Sequence, residues 1–264
     1  MKLPVIETPT FTVELPSSQD KTHVQMRNMK VKEEKILLMA KQGNDPMEIL
    51  AAIKQVVNNC IVGEDVNIND IALFDLEYLF LKLRAQSVSD IAEVAYLDNE
   101  EVADHIKTNT KEGEEPTEAT IDLARKRATR TFKINLKKVK IQFPKESDRR
   151  VPINDKTGIV LKYPPAELYG DKEFIESKPE DVLDMLISKS IDYIYDGEET
   201  INMKDGDLEE IKEWLDNLDI QTHNKLVEFF SELPHLYYEI KYKNKLGSER
   251  KIELTTLNDF FQFA

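Results

Sequence analysis

The segment from Ile71 to Ala85 is the most apolar stretch of the chain and most limits the folds that it can adopt. Its apolar side chains cover most of the circumference of a helix, and such a helix is buried in a core or an interface. Asn69 or Asp70 can supply its N-cap. Of the two environments we expect the main core, and the residues expected there are Leu76, Leu79, Phe80 and Leu83.

The N-terminal part of the sequence predicts a β-hairpin. Residues Thr10 to Leu15 alternate between apolar and polar side chains, as a half-buried strand does. A turn is expected at Pro16, Ser17 and Ser18, and a second strand between His23 and Met29.

Two helices are predicted after this hairpin. Glu33 and Glu34 favour the start of the first, since carboxylates stabilise the positive N-terminal end of a helix, and Gly43 ends it. Its buried face is expected to contain Ile36, Leu37 and Met39. Asp45 as N-cap and Pro46 in the first turn begin the second helix.

The middle of the chain predicts a loop followed by strands. Residues 111–117 form a charged segment with glycine and proline, which is typical of a loop. From Thr131 to Phe143 the residues alternate as in strands, and a shift at Lys137 and Lys138 indicates a turn or bulge. Residues 146–156 are a polar linker, followed by a short strand from Gly158 to Tyr163.

Helices dominate the segment that follows. Ser177 and Glu180 have the spacing of a capping box and predict a helix with apolar residues as far as Ile194. Asp207 and Glu210 repeat this spacing.

The end of the chain predicts one more helix and a second hairpin. Thr222 starts the helix and Pro234 stops it. The hairpin strands are residues 236–242 and 250–254, and an aromatic segment closes the chain at residues 257–263.

These elements predict an α+β fold with a helical core, an N-terminal β-hairpin, a central strand region and a C-terminal β-hairpin. A domain boundary is expected near residue 150. The first domain, residues 1–150, holds the hairpin, the apolar central helix and the strand region. The second, residues 151–264, is helical and ends in the hairpin and the aromatic tail.

The charge of the chain argues against nucleic acid as its main partner. Fifty acidic and 36 basic residues give a net charge of −14, which repels phosphate backbones. Some basic residues cluster, and we interpret them as a solvated face in preference to a binding face for an acidic partner. They are Arg125, Lys126, Arg127, Arg130, Lys133, Lys137 and Lys138.

Cys60 is the single cysteine, so an intramolecular disulfide is impossible and we expect a core thiol in a reducing cytoplasm. The N-terminus lacks the pattern of a secretion signal, and no run of 18 apolar residues occurs. Cytoplasmic synthesis and no membrane partner are therefore expected.

No catalytic or metal-binding motif stands out. The histidines His23, His105, His223 and His235 lack metal-ligand spacing, so neither zinc nor another cofactor is expected. The acidic pairs Asp75 with Glu77 and Asp181 with Asp184 are better explained as solvated helix faces than as catalytic carboxylates. For Asp75 and Arg84 we expect an outward position or a structural ion pair, with partner binding as the alternative.

Several residue strings resemble those of one viral family over nearly the whole chain. They are Leu15-Pro16-Ser17, Glu33-Glu34, the run Phe74 to Ser87, Phe229-Phe230, Leu233-Pro234 and Asp259-Phe260-Phe261. The sequence resembles the baseplate hub assembly proteins of T-even-type, contractile-tailed bacteriophages. Some members of that family carry cysteines in the middle strands and C-terminal hairpin, as in a small metal ribbon. This chain has none in the turn at residues 243–247.

The resemblance implies a non-enzymatic assembly chaperone that binds hub proteins in the cytoplasm of the infected host. The alternative is a permanent structural component of the hub or tail, which would be found in the virion baseplate. A third class, an enzyme such as a peptidoglycan hydrolase, ranks last because no pair of carboxylates is singled out. The oligomeric state stays open.

Bulky residues are concentrated near the C-terminus, and an aromatic patch left exposed on an acidic protein is typical of a binding site. The hairpin core is the ordinary place for Phe260 and Phe261. The sharper hypothesis is a docking surface for hub proteins, and its candidate residues are Tyr237, Tyr238, Phe260, Phe261 and Phe263.

Overall fold

The computed structural model describes residues 7–18, 20–43, 45–63, 66–144, 149–168, 171–202 and 208–261. In chain order the elements are β1 (Thr10–Glu14), β2 (His23–Arg27), α1 (Val31–Gly43), α2 (Pro46–Cys60), α3 (Leu73–Ser87), β3 (Ile91–Leu97), α4 (Asn99–Asn109), α5 (Glu118–Ala128), β4 (Thr129–Asn135) and β5 (Lys140–Gln142). They continue with β6 (Arg150–Pro152), β7 (Thr157–Leu161), α6 (Lys172–Glu176), α7 (Pro179–Ser190), β8 (Ile191–Asp196), β9 (Glu199–Asn202), α8 (Leu208–Asp216), α9 (Ile220–Ser231), β10 (His235–Lys243), β11 (Glu249–Leu254) and α10 (Leu257–Phe261). The predicted α+β class is confirmed.

The chain packs into two compact units, each built from two separate stretches. Unit 1 comprises residues 1–83 and 141–235, and unit 2 comprises residues 84–140 and 236–264. The division into contiguous domains at residue 150 stays a prediction.

Unit 1 contains the β1–β2 hairpin and a four-stranded antiparallel sheet in the order β6-β7-β8-β9. Helices α7, α8 and α9 pack with the sheet around a core of aliphatic side chains. This core consists of Val151, Ile159, Leu161, Ile187, Ile191, Ile194, Ile211, Leu215 and Leu226.

The apolar helix α3 lies in the core, as its sequence predicts. Leu76, Leu79, Phe80 and Leu83 are each at most 1% exposed. The helix begins at Leu73 instead of Ile71, because the two preceding residues pair with the chain near residue 165. Ala72 bridges Pro165, and the backbone N–H of Ala166 donates to the carbonyl oxygen of Ile71 at 2.8 Å. Neither Asn69 nor Asp70 therefore caps the helix.

Asp75 is fully buried, so both ordinary interpretations of this residue, an outward position or an ion pair, are wrong. Its carboxylate accepts hydrogen bonds from the backbone N–H of Ser17, at 3.0 Å, and from the Ser17 hydroxyl. Burial raises the pKa of Asp75 to about 6, and the hydrogen bonds from Ser17 oppose this rise. The residue thus fixes the turn after β1 to α3.

Burial also raises the pKa of Glu77, to about 7. A carboxyl group whose pKa is higher in the folded state keeps a proton that the unfolded chain has released, so stability falls as pH rises through this interval. We expect Glu77→Gln to raise the unfolding free energy near pH 8 by about 1–3 kcal/mol and to change it little near pH 4. Urea unfolding at both pH values measures the difference, and an equal effect at both would contradict the prediction.

Helix α1 differs from its prediction. Met39 is 71% exposed, so its predicted place on the buried face is wrong. Ile36 and Leu37, which the same prediction placed there, are only half-buried. The buried residue of this helix is Glu33, which is 0% exposed.

The Glu33 carboxylate accepts hydrogen bonds from Nη2 of Arg27 at 2.9 Å and from the backbone N–H of Lys30 at 2.8 Å. Arg27 Nη2 also donates to the carbonyl oxygen of Asn59, near the end of α2, at 2.6 Å. Burial disfavours ionisation of Glu33 most, but the hydrogen bonds from Arg27 and Lys30 together hold its pKa below the ordinary value. An ion pair thus ties α1 to β2 and α2.

The sequence predicted the residues that start three helices of unit 1, and the structure confirms one of these predictions. Asp45 caps α2 as predicted and accepts from the backbone N–H of Met47 at 2.9 Å. At α7 the N-cap is Lys178, and the Ser177 hydroxyl donates to the carbonyl oxygen of Glu173, so the capping box is wrong. Asp219, not Thr222, caps α9. Asp207 lies outside the described residues.

Unit 2 pairs β3 with β4 and β10 with β11, both antiparallel, and adds α4, α5 and α10. The sequence patterns did not predict β3, α4 or α5. The shift at Lys137 and Lys138 is a 3-10 turn, Leu136–Lys138, between β4 and β5.

Candidate interaction surface

The C-terminal hairpin has two chemically different faces. In its register Glu239 lies opposite Glu253, and Lys241 lies opposite Lys251, so these four charges share one face. Lys251 Nζ contacts Glu239 at 2.9 Å and Glu253 at 2.6 Å, which relieves the repulsion between like charges. The hydrogen bonds from Lys241 and Lys251 lower the pKa of Glu239 to about 2. This face is an exposed ion-pair ladder.

The strands place the predicted tyrosines on opposite faces. Tyr237 lies on the charged face, where its hydroxyl donates to Glu239 at 3.2 Å and to Glu253 at 3.3 Å. Tyr238 pairs with the buried Leu254 on the other face and is half-buried. Alternation along a strand therefore prevents Tyr237 and Tyr238 from forming one patch.

The candidate phenylalanines differ in exposure. Phe260 is 1% exposed and belongs to the core of unit 2, where α10 packs against β3. Phe261 is half-buried, and Phe263 lies outside the described residues. Phe229 and Phe230 also belong to the group of bulky residues near the C-terminus, but they pack in unit 1. The Phe229 ring stacks on the Tyr163 ring, and their centroids are 6.1 Å apart. Binding of a partner by these residues stays a prediction.

A polar network that sequence reasoning missed holds the turn of the hairpin against α4. Asp98 caps α4, accepting from the backbone N–H of Glu100 and of Glu101, and it also accepts from the Tyr242 hydroxyl at 2.6 Å. The side-chain amide of Asn244 donates to Glu100 at 2.6 Å. These partners are 144 residues apart in sequence, so no local pattern indicates them.

Glu101 is the second anchor of this network. Its carboxylate accepts from the backbone N–H of Lys245 at 2.8 Å and pairs with Arg130. Burial opposes ionisation of Glu101 most, yet these donors hold its pKa below the ordinary value. The Arg130 guanidinium also lies over the Tyr242 ring, 5.1 Å from its centroid.

Removal of one hydroxyl tests the network. Tyr242→Phe is expected to lower the unfolding free energy by about 1–2 kcal/mol, because Asp98 is 1% exposed and loses a donor that water cannot easily replace. Tyr237→Phe is the matched control on the exposed face and is expected to change stability by less than about 0.5 kcal/mol. Thermal or urea unfolding of both variants decides, and equal effects would contradict the assignment.

The basic cluster is in part a set of surface ion pairs. Lys137 lies 3.3 Å from Asp90, Lys133 lies 3.7 Å from Glu93, and Arg130 pairs with Glu101. The last turn of α5 contains Arg125, Lys126 and Arg127. Positive side chains there stabilise the helix, because its C-terminal end carries a partial negative charge. A solvated face accounts for these contacts.

Among the helices in the described ranges, α1 has the largest number of exposed large apolar side chains. Val31 is 67% exposed, Leu38 54% and Met39 71%. Side chains of this size are normally turned inward, and their exposure on one helix is typical of a surface that contacts another molecule. Sequence reasoning missed this surface, since it placed Met39 inside.

Among the described residues, no group of three or more His, Cys, Asp or Glu side chains lies close enough together to hold a metal ion. Cys60 is fully buried, as predicted, and burial raises its pKa to about 11. Within the same described ranges, every helix is too short or too polar to cross a membrane.

The fold and these surfaces define an α+β protein of two compact units with an exposed apolar helix face and a charged hairpin face. A family model described as T4 bacteriophage base plate protein matches residues 8–262. The chain therefore belongs to the T4 bacteriophage base plate protein family. Neither the curated proteins nor the solved structures contain a match to it.

Proposed function

We propose that this chain is a non-enzymatic assembly factor, a chaperone, for the baseplate hub of a contractile-tailed bacteriophage. It acts by binding hub proteins in the cytoplasm of the infected host. The observation that carries the proposal is the exposure of Val31, Leu38 and Met39 on α1 of a baseplate-family protein. A partner that bound this surface would remove its apolar side chains from water, and baseplate assembly brings the chain together with other proteins.

In this role the chain performs no catalytic step and binds neither a cofactor nor nucleic acid. The net charge of −14 supports the last point, because an acidic surface repels phosphate. Binding is therefore expected to depend on shape, apolar contact and local ion pairs.

Capture of hub proteins tests this function. The full chain carrying an affinity tag is co-expressed with each baseplate hub subunit of the same phage, and retained subunits are identified by mass spectrometry. At least one hub subunit is expected to be retained at mild salt. If none is retained, the proposed binding function fails.

A permanent structural role is the alternative, and protein amounts separate it from the chaperone role. A chaperone is expected in extracts of infected cells and scarce in purified virions. A component of the hub or tail would occur in both, with a fixed number of copies in each virion. Quantitative mass spectrometry of virions and extracts measures the ratio.

The C-terminal residues are proposed as a second contact region for hub proteins. Of the candidates, Tyr238 and Phe261 are half-buried and retain exposed surface, whereas Phe260 is buried. Phe261→Ala is expected to weaken hub-subunit binding by about tenfold if the ring contacts the partner. Leu123→Ala, at an exposed apolar residue of α5 in the same unit, is the control and should leave binding unchanged. Unchanged binding by Phe261→Ala would limit that ring to a packing role.

A further inference from the structure

We propose that the outward face of α1 is a docking site for an acidic amphipathic helix of another baseplate protein. This inference rests on the proposed function and names the surface and the chemistry of its partner. The outward face is defined by Val31, Lys35, Leu38, Met39 and Gln42, all of which are exposed.

The spacing of these residues makes one continuous surface. Val31, Lys35, Leu38 and Gln42 follow one another at intervals of four, three and four residues, which places them on one side of a helix. Met39 lies beside Leu38 on the same side. A helix that lays its apolar side along this stripe would contact Val31, Leu38 and Met39 together.

The inner side of α1 explains why this stripe stays outside. Helix α1 packs against α2, and the Arg27–Glu33 ion pair ties it to β2. Ile36 and Leu37 are half-buried, so the inner side already holds the helix in place. The outward residues are therefore not needed for the packing of unit 1.

Charge complementarity selects the partner. On a protein of net charge −14, the stripe carries the exposed Lys35 at its centre. Lys32, at one border, has a 68% exposed side chain whose Nζ lies 3.5 Å from Oε1 of Glu33, and the exposed Glu34 lies toward the other border. A partner with Asp or Glu beside its apolar residues would pair with Lys35 at the centre of the stripe. A second copy that used the same face would bring Lys35 near Lys35, which is unfavourable. An anionic membrane would attract the two lysines, but the charge of the whole chain opposes it.

The experiment compares variants of the full chain in binding to the hub subunit that the wild type retains. The outward-face variant combines Lys35→Glu, Leu38→Ser and Met39→Ser. Its control is Ile220→Ser, because Ile220 is 79% exposed on α9 of the same unit. We expect the outward-face variant to lose about tenfold or more in affinity and the control to bind as the wild type does. Thermal unfolding establishes that both variants are folded.

Photo-crosslinking identifies the chemistry of the partner. A photo-reactive amino acid placed at Met39 is expected to crosslink to a helical segment that contains Asp or Glu beside apolar residues. Binding by Lys35→Ala alone is expected to depend less on salt than binding by the wild type.

Each other outcome overturns the docking site. Equal binding by the outward-face variant would exclude α1 while the proposed function stood, and failure of the wild type to retain any hub subunit would remove both. A crosslink to a segment without acidic residues would exclude the stated partner chemistry. Sedimentation showing a wild-type dimer that the variant dissolves would identify a second copy. Flotation of the wild type, but not the variant, with anionic phospholipid vesicles would identify a membrane surface.

Discussion

Leu79→Ala is expected to lower the free energy of unfolding by about 2–5 kcal/mol. Leu79 is 0% exposed in α3, and its neighbours Leu76, Phe80 and Leu83 are almost completely buried as well. The substitution removes apolar contacts and leaves a cavity that such a tightly packed environment can fill only in part. Urea unfolding followed by circular dichroism measures the loss.

The matched control is Leu38→Ala, the same substitution at a position that is 54% exposed. It is expected to change stability by less than about 0.5 kcal/mol, because little apolar surface is transferred from the core to water. A loss below this value for Leu79→Ala would place α3 at an interface instead of in the core.

Glu33→Ala is expected to cost about 3–5 kcal/mol, because removal of one partner leaves a buried charge without its counter-ion. The Glu33 carboxylate is 0% exposed, and the Arg27 side chain that it pairs with is 15% exposed. The wild type gains this stability above the unfolded-state pKa of glutamate and loses it as pH falls, since the folded-state pKa is lower. The variant should therefore lose less stability in acid than the wild type.

Two further proteins test the role of the Arg27–Glu33 pair. Glu34→Ala removes the neighbouring, exposed carboxylate and is expected to change stability by less than about 0.5 kcal/mol. The double replacement Arg27→Met with Glu33→Leu is expected to recover much of the loss, since apolar residues of similar size leave no unpaired charge. A double variant as unstable as Glu33→Ala would show that the loss has another cause.

Local sequence patterns predicted the helices and strands that are stabilised mainly by residues close to them in the chain. Asp45 and Pro46 mark the start of α2, alternation marks β1 and β10, and the apolar run marks α3 as core. Hairpin partners are close in sequence, and a residue type that caps a helix acts within one turn.

Tertiary contacts determined the secondary structure of segments whose local sequence favours a helix but whose backbone pairs with a distant segment. Ile191 and Ile194 continue the apolar pattern of α7, but they form β8 because β7 and β9 pair with that segment. Likewise, Ile71 and Ala72 extend the apolar run of α3 but bond to the chain near residue 165. Backbone hydrogen bonds to a neighbouring segment outweigh helical periodicity in both places.

The candidate surface shows the same division. Residue strings in the sequence resemble those of a phage baseplate family, and no catalytic motif was recognised among them; the family match agrees on the baseplate. The periodicity of α1 predicted Met39 inside, yet the structure exposes Met39 and buries Glu33. The reason is that Arg27 on β2 supplies a counter-ion for Glu33, and a sequence pattern cannot show which distant charge will meet a carboxylate. Sequence determined that α1 is a helix, and only the tertiary structure determined which side of it faces water.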